Sequence, residues 1–200
     1  MHAAGLRIVA LVAAGLCVTL AIGIFVNARG HGAPVANYAG TPVVPPKAAA
    51  DAILVDQDGH AARVLDSGAR ATFLFFGYTH CPDECPLALA MLAKAYRTLP
   101  PERAARLRVV FVTVDPQRDT PPVVKRYLAA FDAHFVGLTG TRASLTPVWN
   151  AYGVTIDRTT RELSHGDAIY AIDDTAHVLL IYPPSAPAAD LAGDAWKLTS

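Results

Sequence analysis

Two stretches of strand length, residues 71–77 (ATFLFFG) and 107–114 (LRVVFVTV), carry almost no polar side chain. A strand with one wet face alternates apolar and polar residues, whereas a continuous apolar run suits a strand covered on both faces. Between the two runs, Leu87, Met91, Leu92, Ala95 and Leu99 recur at helical spacing. A buried strand, an amphipathic helix and a second buried strand form the unit of an α/β core with right-handed crossovers.

The rest of the C-terminal three quarters extends this unit. Residues 52–55 form a short apolar strand, Asp56-Gln57-Asp58-Gly59 a turn, and residues 62–65 the returning arm of a hairpin. After the second buried run, Asp115-Pro116 stops the strand. Thr120 and Pro121 then read as the cap and first turn of a helix carrying Val123, Val124, Tyr127, Leu128 and Phe131. Residues 135–138 form a short strand. Ser144 reads as the cap of a helix with Leu145, Val148, Trp149 and Tyr152. Residues 168–172 and 177–182 form strands joined at Asp173-Asp174, and a last helix covers 190–198. A hairpin, then alternating strands and helices, then a second hairpin predict a mixed sheet flanked by helices, the arrangement of a thioredoxin-like domain.

The N-terminal quarter has another character. Residues 8–26 contain no charge and are almost wholly apolar, with Arg7 before them and Arg29 after. A spanning helix needs about 20 such residues, whereas the apolar core of a cleaved export signal runs to roughly 7–15. Residues 1–28 are therefore read as a retained signal anchor, an N-terminal transmembrane helix, with Val26-Asn27-Ala28 as an alternative cleavage site. Cys17 within it reads as a small buried hydrophobe. Flanking positive charge puts the N-terminus in the cytoplasm and exports the rest. The absence of an Arg-rich transit stretch favours a bacterium, with the chain in the inner membrane and its domain facing the periplasm. Residues 29–50, rich in Gly, Pro and Ala, are read as an extended linker, and residues 51–200 as the exported domain. The high apolar content, 52% of 200 residues, owes much to the N-terminal segment. Basic and acidic residues balance at 17 each, with no basic run, which excludes nucleic acid as a default partner.

Three cysteines are too few for a disulfide scaffold, and two of them, Cys81 and Cys85, lie together in YTHCPDECP. That stretch falls where a buried strand ends and a helix begins. Pro82 is read as part of the first helical turn. Unpaired N–H groups and the positive end of the helix dipole favour a thiolate at Cys81. Cys85 lies one helical turn further on, on the same side. Two thiolates at this spacing can clamp one soft metal ion or close a local disulfide. Structural zinc wants four ligands, and thioredoxin-type redox pairs are one residue closer together. Soft thiolates select Cu(I), and an added imidazole also suits Cu(II).

GYTHCPDECP resembles the GYTxCPxxCP signature of the Sco/SenC family of copper-binding cytochrome c oxidase assembly proteins. VTVDPQRDTP (112–121), FVGLTG (135–140) and LSHGDAIYAID (163–173) resemble further family segments, in the right order. The resemblance spans roughly residues 53–182. It implies a thioredoxin-like fold behind a membrane anchor, and copper, as Cu(I) or Cu(II), held by Cys81, Cys85 and His165. It implies a metallochaperone that takes copper from a donor protein and supplies the Cu(A) site of cytochrome c oxidase subunit II or another acceptor. The alternative is a thiol–disulfide reductase using Cys81 and Cys85 as its redox-active pair without carrying copper. A peroxidase on the same fold is a weaker third reading, because the cysteines are twinned. The sequence departs from the family at Ala49–Ala52, where a Gly-Gly-x-Phe entry is usual. It departs also at Glu84, where an apolar residue is common, and at Gly166, where Ser or Thr is common. His80 reads as a part-exposed neighbour of Cys81, His134 and His177 as structural, and His2, His31 and His60 as tail, linker and turn residues. Asp115, Arg118 and Asp119 form a charged loop at a strand end, where such loops gather in α/β sheets. Orienting the site, docking a partner and capping the next helix are equally open roles for them.

Overall fold

A computed structural model describes residues 37–156 and 168–200. Residues 38–200 make one compact unit. The two apolar runs become β4 (Ala71–Gly77) and β5 (Leu107–Thr113), paired in parallel, and β4 is buried along its whole length. Phe73, Phe75, Phe76 and Phe111 are shielded from solvent and form the aromatic centre of the core. Burial of one such side chain stabilises by about 1.5–3 kcal/mol, so these two strands set the position of everything else.

Among the described residues the sheet has eight strands and extends to both sides of the β4–β5 pair. On one side of the central pair, β6 (Val136–Thr139) adds in parallel, followed by the antiparallel hairpin β2 (Ile53–Asp56) and β3 (Ala61–Arg63). On the other side, β7 (Ile169–Asp173) and β8 (His177–Tyr182) add antiparallel. The mixed sheet and both hairpins match the expectation from the sequence. Among the described residues, five helices join or follow the strands: α1 (Glu84–Thr98), the single turn α2 (Pro101–Ala104), α3 (Pro121–Ala129), α4 (Arg142–Ala151) and α5 (Ala188–Leu198). α1 packs against α5, and α3 lies on β6. That last contact needs Gly137, because a Cβ there would stand 2.2 Å from Val124 and 2.6 Å from Leu128.

Three local readings change. Residues 41–48, assigned to the linker, form the edge strand β1 (Thr41–Ala48), antiparallel to β8, with a register shift between Pro42 and Lys47. Tertiary pairing makes this strand: β8 offers a free edge, and a mostly exposed segment needs no apolar periodicity to fill it. Asp194 ties the chain down just before β1. It accepts hydrogen bonds from the Ala39 and Gly40 amides at 2.8 and 3.0 Å and from the Tyr182 hydroxyl at 2.9 Å. Secondly, Thr141, not Ser144, caps α4, its hydroxyl accepting from the Ser144 amide at 3.1 Å. Thirdly, α1 begins at Glu84, so Pro82 lies ahead of the helix and Pro86 occupies its first turn. Among the described residues, no helix is long and apolar enough to cross a membrane. The anchor assigned to residues 1–28 lies outside the described residues.

Candidate metal centre

The C-terminal ends of β4 and β5 carry the cysteine loop. β4 ends at Gly77, whose carbonyl accepts the Val114 amide at 2.8 Å and locks the two strand ends together. The chain then turns through Tyr78, buried beneath the Arg118 guanidinium, whose carbonyl accepts the Cys81 amide at 3.2 Å. Cys81 stands just before α1, and Cys85 is the second residue of the helix. The Cys85 amide points back at the Cys81 sulfur, 3.4 Å away. An N–H in the first turn of a helix has no intrahelical acceptor, and here the Cys81 sulfur takes that place.

Neither Cys81 nor Cys85 is joined in a disulfide, and the two are unequal: Cys81 is part-exposed and Cys85 is fully buried. The Cys85 sulfur sits over Gly77, where a Cβ would come within 2.9 Å of it and within 2.9 Å of the Phe111 ring. The residue before the loop must therefore be glycine. Burial pushes the Cys85 thiol far up from its ordinary value, with Cys81 and Glu84 adding to the rise and a Tyr78 backbone hydrogen bond opposing it. Cys85 is thus a protonated thiol in the metal-free protein. A soft cation would displace that proton, coupling metal uptake to proton release.

The charged loop after β5 resolves into a support for the cysteine loop. Asp119 is fully buried and accepts from the Thr79 amide at 3.1 Å, the Thr79 hydroxyl at 2.6 Å and the Thr113 hydroxyl at 2.5 Å. Its backbone carbonyl takes the Thr139 hydroxyl at 2.8 Å, tying in β6. Thr79 is two residues before Cys81, so this one carboxylate fixes the loop against β5. Asp115, also buried, pairs with Arg118, and its backbone amide donates to the Thr113 hydroxyl at 2.9 Å. The Trp149 indole donates to the Thr113 carbonyl at 3.1 Å and closes the network from α4. His80 is exposed, its Nδ1 3.0 Å from the Thr79 hydroxyl. His134 stacks on Tyr96 and bonds Asp132, as a structural residue would.

Among the described residues, no three His, Cys, Asp or Glu side chains gather to hold a metal ion. His165, the third ligand expected from the resemblance, lies outside the described residues. The structure thus brings Cys81 and Cys85 together and adds the buried Asp119. The sequence carried a signal for Asp119, an acid in a strand-end loop.

Residues 46–199 match the SCO1/SenC family model. The chain belongs to the SCO1/SenC family. A putative copper-binding protein of Stutzerimonas stutzeri is 35% identical over 130 residues, covering 65% of this chain and 62% of that protein. The chain thus spans less than two thirds of that curated relative's length. The solution structure of apo Sco1 from Thermus thermophilus superposes with a TM-score of 0.72 at 31% identity, over 83% of this chain and 99% of that one. Bradyrhizobium japonicum ScoI with copper bound gives a TM-score of 0.68 at 31% identity, over 76% and 99%. The domain is a mixed α/β, thioredoxin-like fold of the SCO1/SenC type.

Proposed function

We propose that this chain is a membrane-anchored copper metallochaperone that supplies copper to the Cu(A) site of cytochrome c oxidase. The observation that carries the reading is the Cys81–Cys85 pair: two cysteines in no disulfide, four residues apart, one buried and one part-exposed, at the start of α1. Soft sulfur donors suit Cu(I), and a third imidazole ligand from His165 would also hold Cu(II). Membership of a family that includes a copper-bound relative supports the choice of metal. Cys85 would hold the cargo from inside. Cys81, reachable from solvent, would be the sulfur an acceptor's ligands displace first. The apolar residues 8–26 between Arg7 and Arg29 support a single inner-membrane anchor with the domain in the periplasm.

The test is the copper stoichiometry and visible spectrum of the protein, with and without His165→Ala. One copper per chain, with thiolate charge-transfer bands altered or lost in the variant, is the expected result. Retention of the same bands in His165→Ala removes that residue from the ligand set. No copper on either form refutes the chaperone and leaves the thiol–disulfide reductase, whose activity would need both cysteines and tolerate loss of His165.

A further inference from the structure

The end of the domain opposite the cysteine loop carries an exposed tryptophan among arginines. β4 and β5 begin side by side there, the Arg70 amide donating to the Arg106 carbonyl at 2.9 Å. From that end β4 runs about 20 Å to the cysteine loop. α5 finishes at the same pole, where Arg106 donates to the Thr199 carbonyl at 3.4 Å and Arg70 to the Ser200 carbonyl at 3.5 Å. Trp196, in the last turn of α5, is 46% exposed. Core packing does not account for it, because Ala188, Leu191 and Ala195 supply the buried face of this helix. Arg103 of α2 lies over the indole, 4.7 Å from the ring centroid, and donates to the Trp196 carbonyl at 3.2 Å. Arg70 is paired with Asp174 and Lys197 with Asp194. Among the described residues, Arg103 and Arg106 have no acid within ion-pair distance. Glu102 is the exposed acid beside them, so the two arginines leave the patch positive.

The chain enters the domain beside this patch. Tyr38, the first residue of the compact unit, lies against Lys197, whose Nζ stands 5.2 Å from the ring centroid, and Lys197 is the neighbour of Trp196 in sequence. Residues 27–37 separate Tyr38 from the apolar segment 8–26, and a flexible chain of that length spans roughly 20 Å. A tether that short raises the effective concentration of the bilayer surface at α5, so a weak contact is enough to hold. Tryptophan seats its ring at headgroup level, and the planar fork of arginine matches phosphate oxygens. We infer that Trp196, Arg103 and Arg106 form a docking surface for an anionic bilayer, the indole entering the headgroup region and the two guanidinium groups binding lipid phosphates. Docked in this way, the domain turns its cysteine loop away from the membrane, about 20 Å further out along β4. The inference rests on the anchor reading of residues 8–26 and adds to it an orientation for the exported domain.

The experiment places the full chain in lipid nanodiscs of two compositions, phosphatidylcholine alone and phosphatidylcholine mixed with phosphatidylglycerol, with brominated acyl chains as the quencher. Trp149 is buried, so the difference between wild type and Trp196→Phe isolates the Trp196 emission. The expected result is a blue-shifted, bromine-quenched Trp196 emission in the mixed discs. Both the shift and the quenching should be lost at high salt, which screens the arginines without changing the protein, and in the Arg103→Gln, Arg106→Gln double variant. The unfolding midpoint of that variant separates lost docking from a lost fold. A Trp196 emission that is water-like and unquenched in both compositions overturns the inference alone. Quenching that is equal in both compositions and indifferent to salt also overturns it, because the arginines then bind no lipid phosphate. A blue shift without quenching, absent from discs that carry a single chain, gives the patch to a second copy and overturns it too. A chain that does not enter the discs overturns the anchor reading and the inference with it.

Discussion

Asp119 shows how one side chain ties three segments into a site. Its carboxylate receives the Thr79 amide and hydroxyl and the Thr113 hydroxyl, and all of these groups lie where water does not reach them freely. Asp119→Ala orphans these donors at once and should cost about 2–4 kcal/mol of stability, measured as a drop in the urea midpoint. The same variant should weaken copper uptake, because Thr79 no longer fixes the entry to Cys81. Asp119→Asn keeps the shape and should recover part of the stability, since its amide oxygen still accepts. The acidic residue was visible in the sequence as part of VDPQRD. Its choice between capping α3 and holding the cysteine loop was not, because both roles ask for the same residue in the same place.

Between elements, the link from α1 to the end of α3 depends on Asp132. It accepts the His134 amide at 3.0 Å and its ring nitrogen at 2.9 Å, and Arg97 of α1 stands 3.5 Å away. Arg97 also donates to the Phe131 carbonyl at 2.8 Å. Burial alone would raise the Asp132 carboxyl, but the His134 hydrogen bonds and charge, with Arg97, outweigh it and leave the group below its ordinary value. A carboxyl lowered in the folded state stabilises the fold above the unfolded pKa of about 4. That contribution is lost as the pH falls through the lower, folded value. Asp132→Asn should therefore lower the denaturant midpoint at pH 7, and the gap from wild type should close in acid below pH about 4. A gap that stays constant from pH 7 to acid would show that geometry, not charge, carries the link. The helices and central strands joined here were legible from period and apolar runs, since burial on two faces or one stripe leaves a pattern in any order of reading. The single turn α2 was not, because four residues are too short for a period to show.

At the scale of the molecule, residues 38–48 belong to the folded domain. β1 covers the outer edge of β8, and Asp194 clasps the Ala39 and Gly40 amides while Lys197 holds its other oxygen at 2.9 Å. A domain cut at Ala50 should lose the edge strand, deprive Asp194 of the Ala39 and Gly40 amides, and expose β8 to pairing with other chains. Its unfolding midpoint should fall by roughly 5–10 °C relative to a domain beginning at Tyr38, on a scale of ~2–4 °C per kcal/mol for this size. Calorimetry of the two forms, with light scattering for association, checks this. The sequence by itself determined the double-sided burial of the central strands, the order of strands and helices, and the place of Cys81 and Cys85 at a strand-to-helix turn. Each of these is written in local spacing. Only the tertiary structure decided that a proline-rich tether is an edge strand and that Asp119 turns inward to the cysteine loop. An edge strand takes its form from the neighbour that hydrogen-bonds it, and a buried polar group takes its meaning from whatever distant residues close around it.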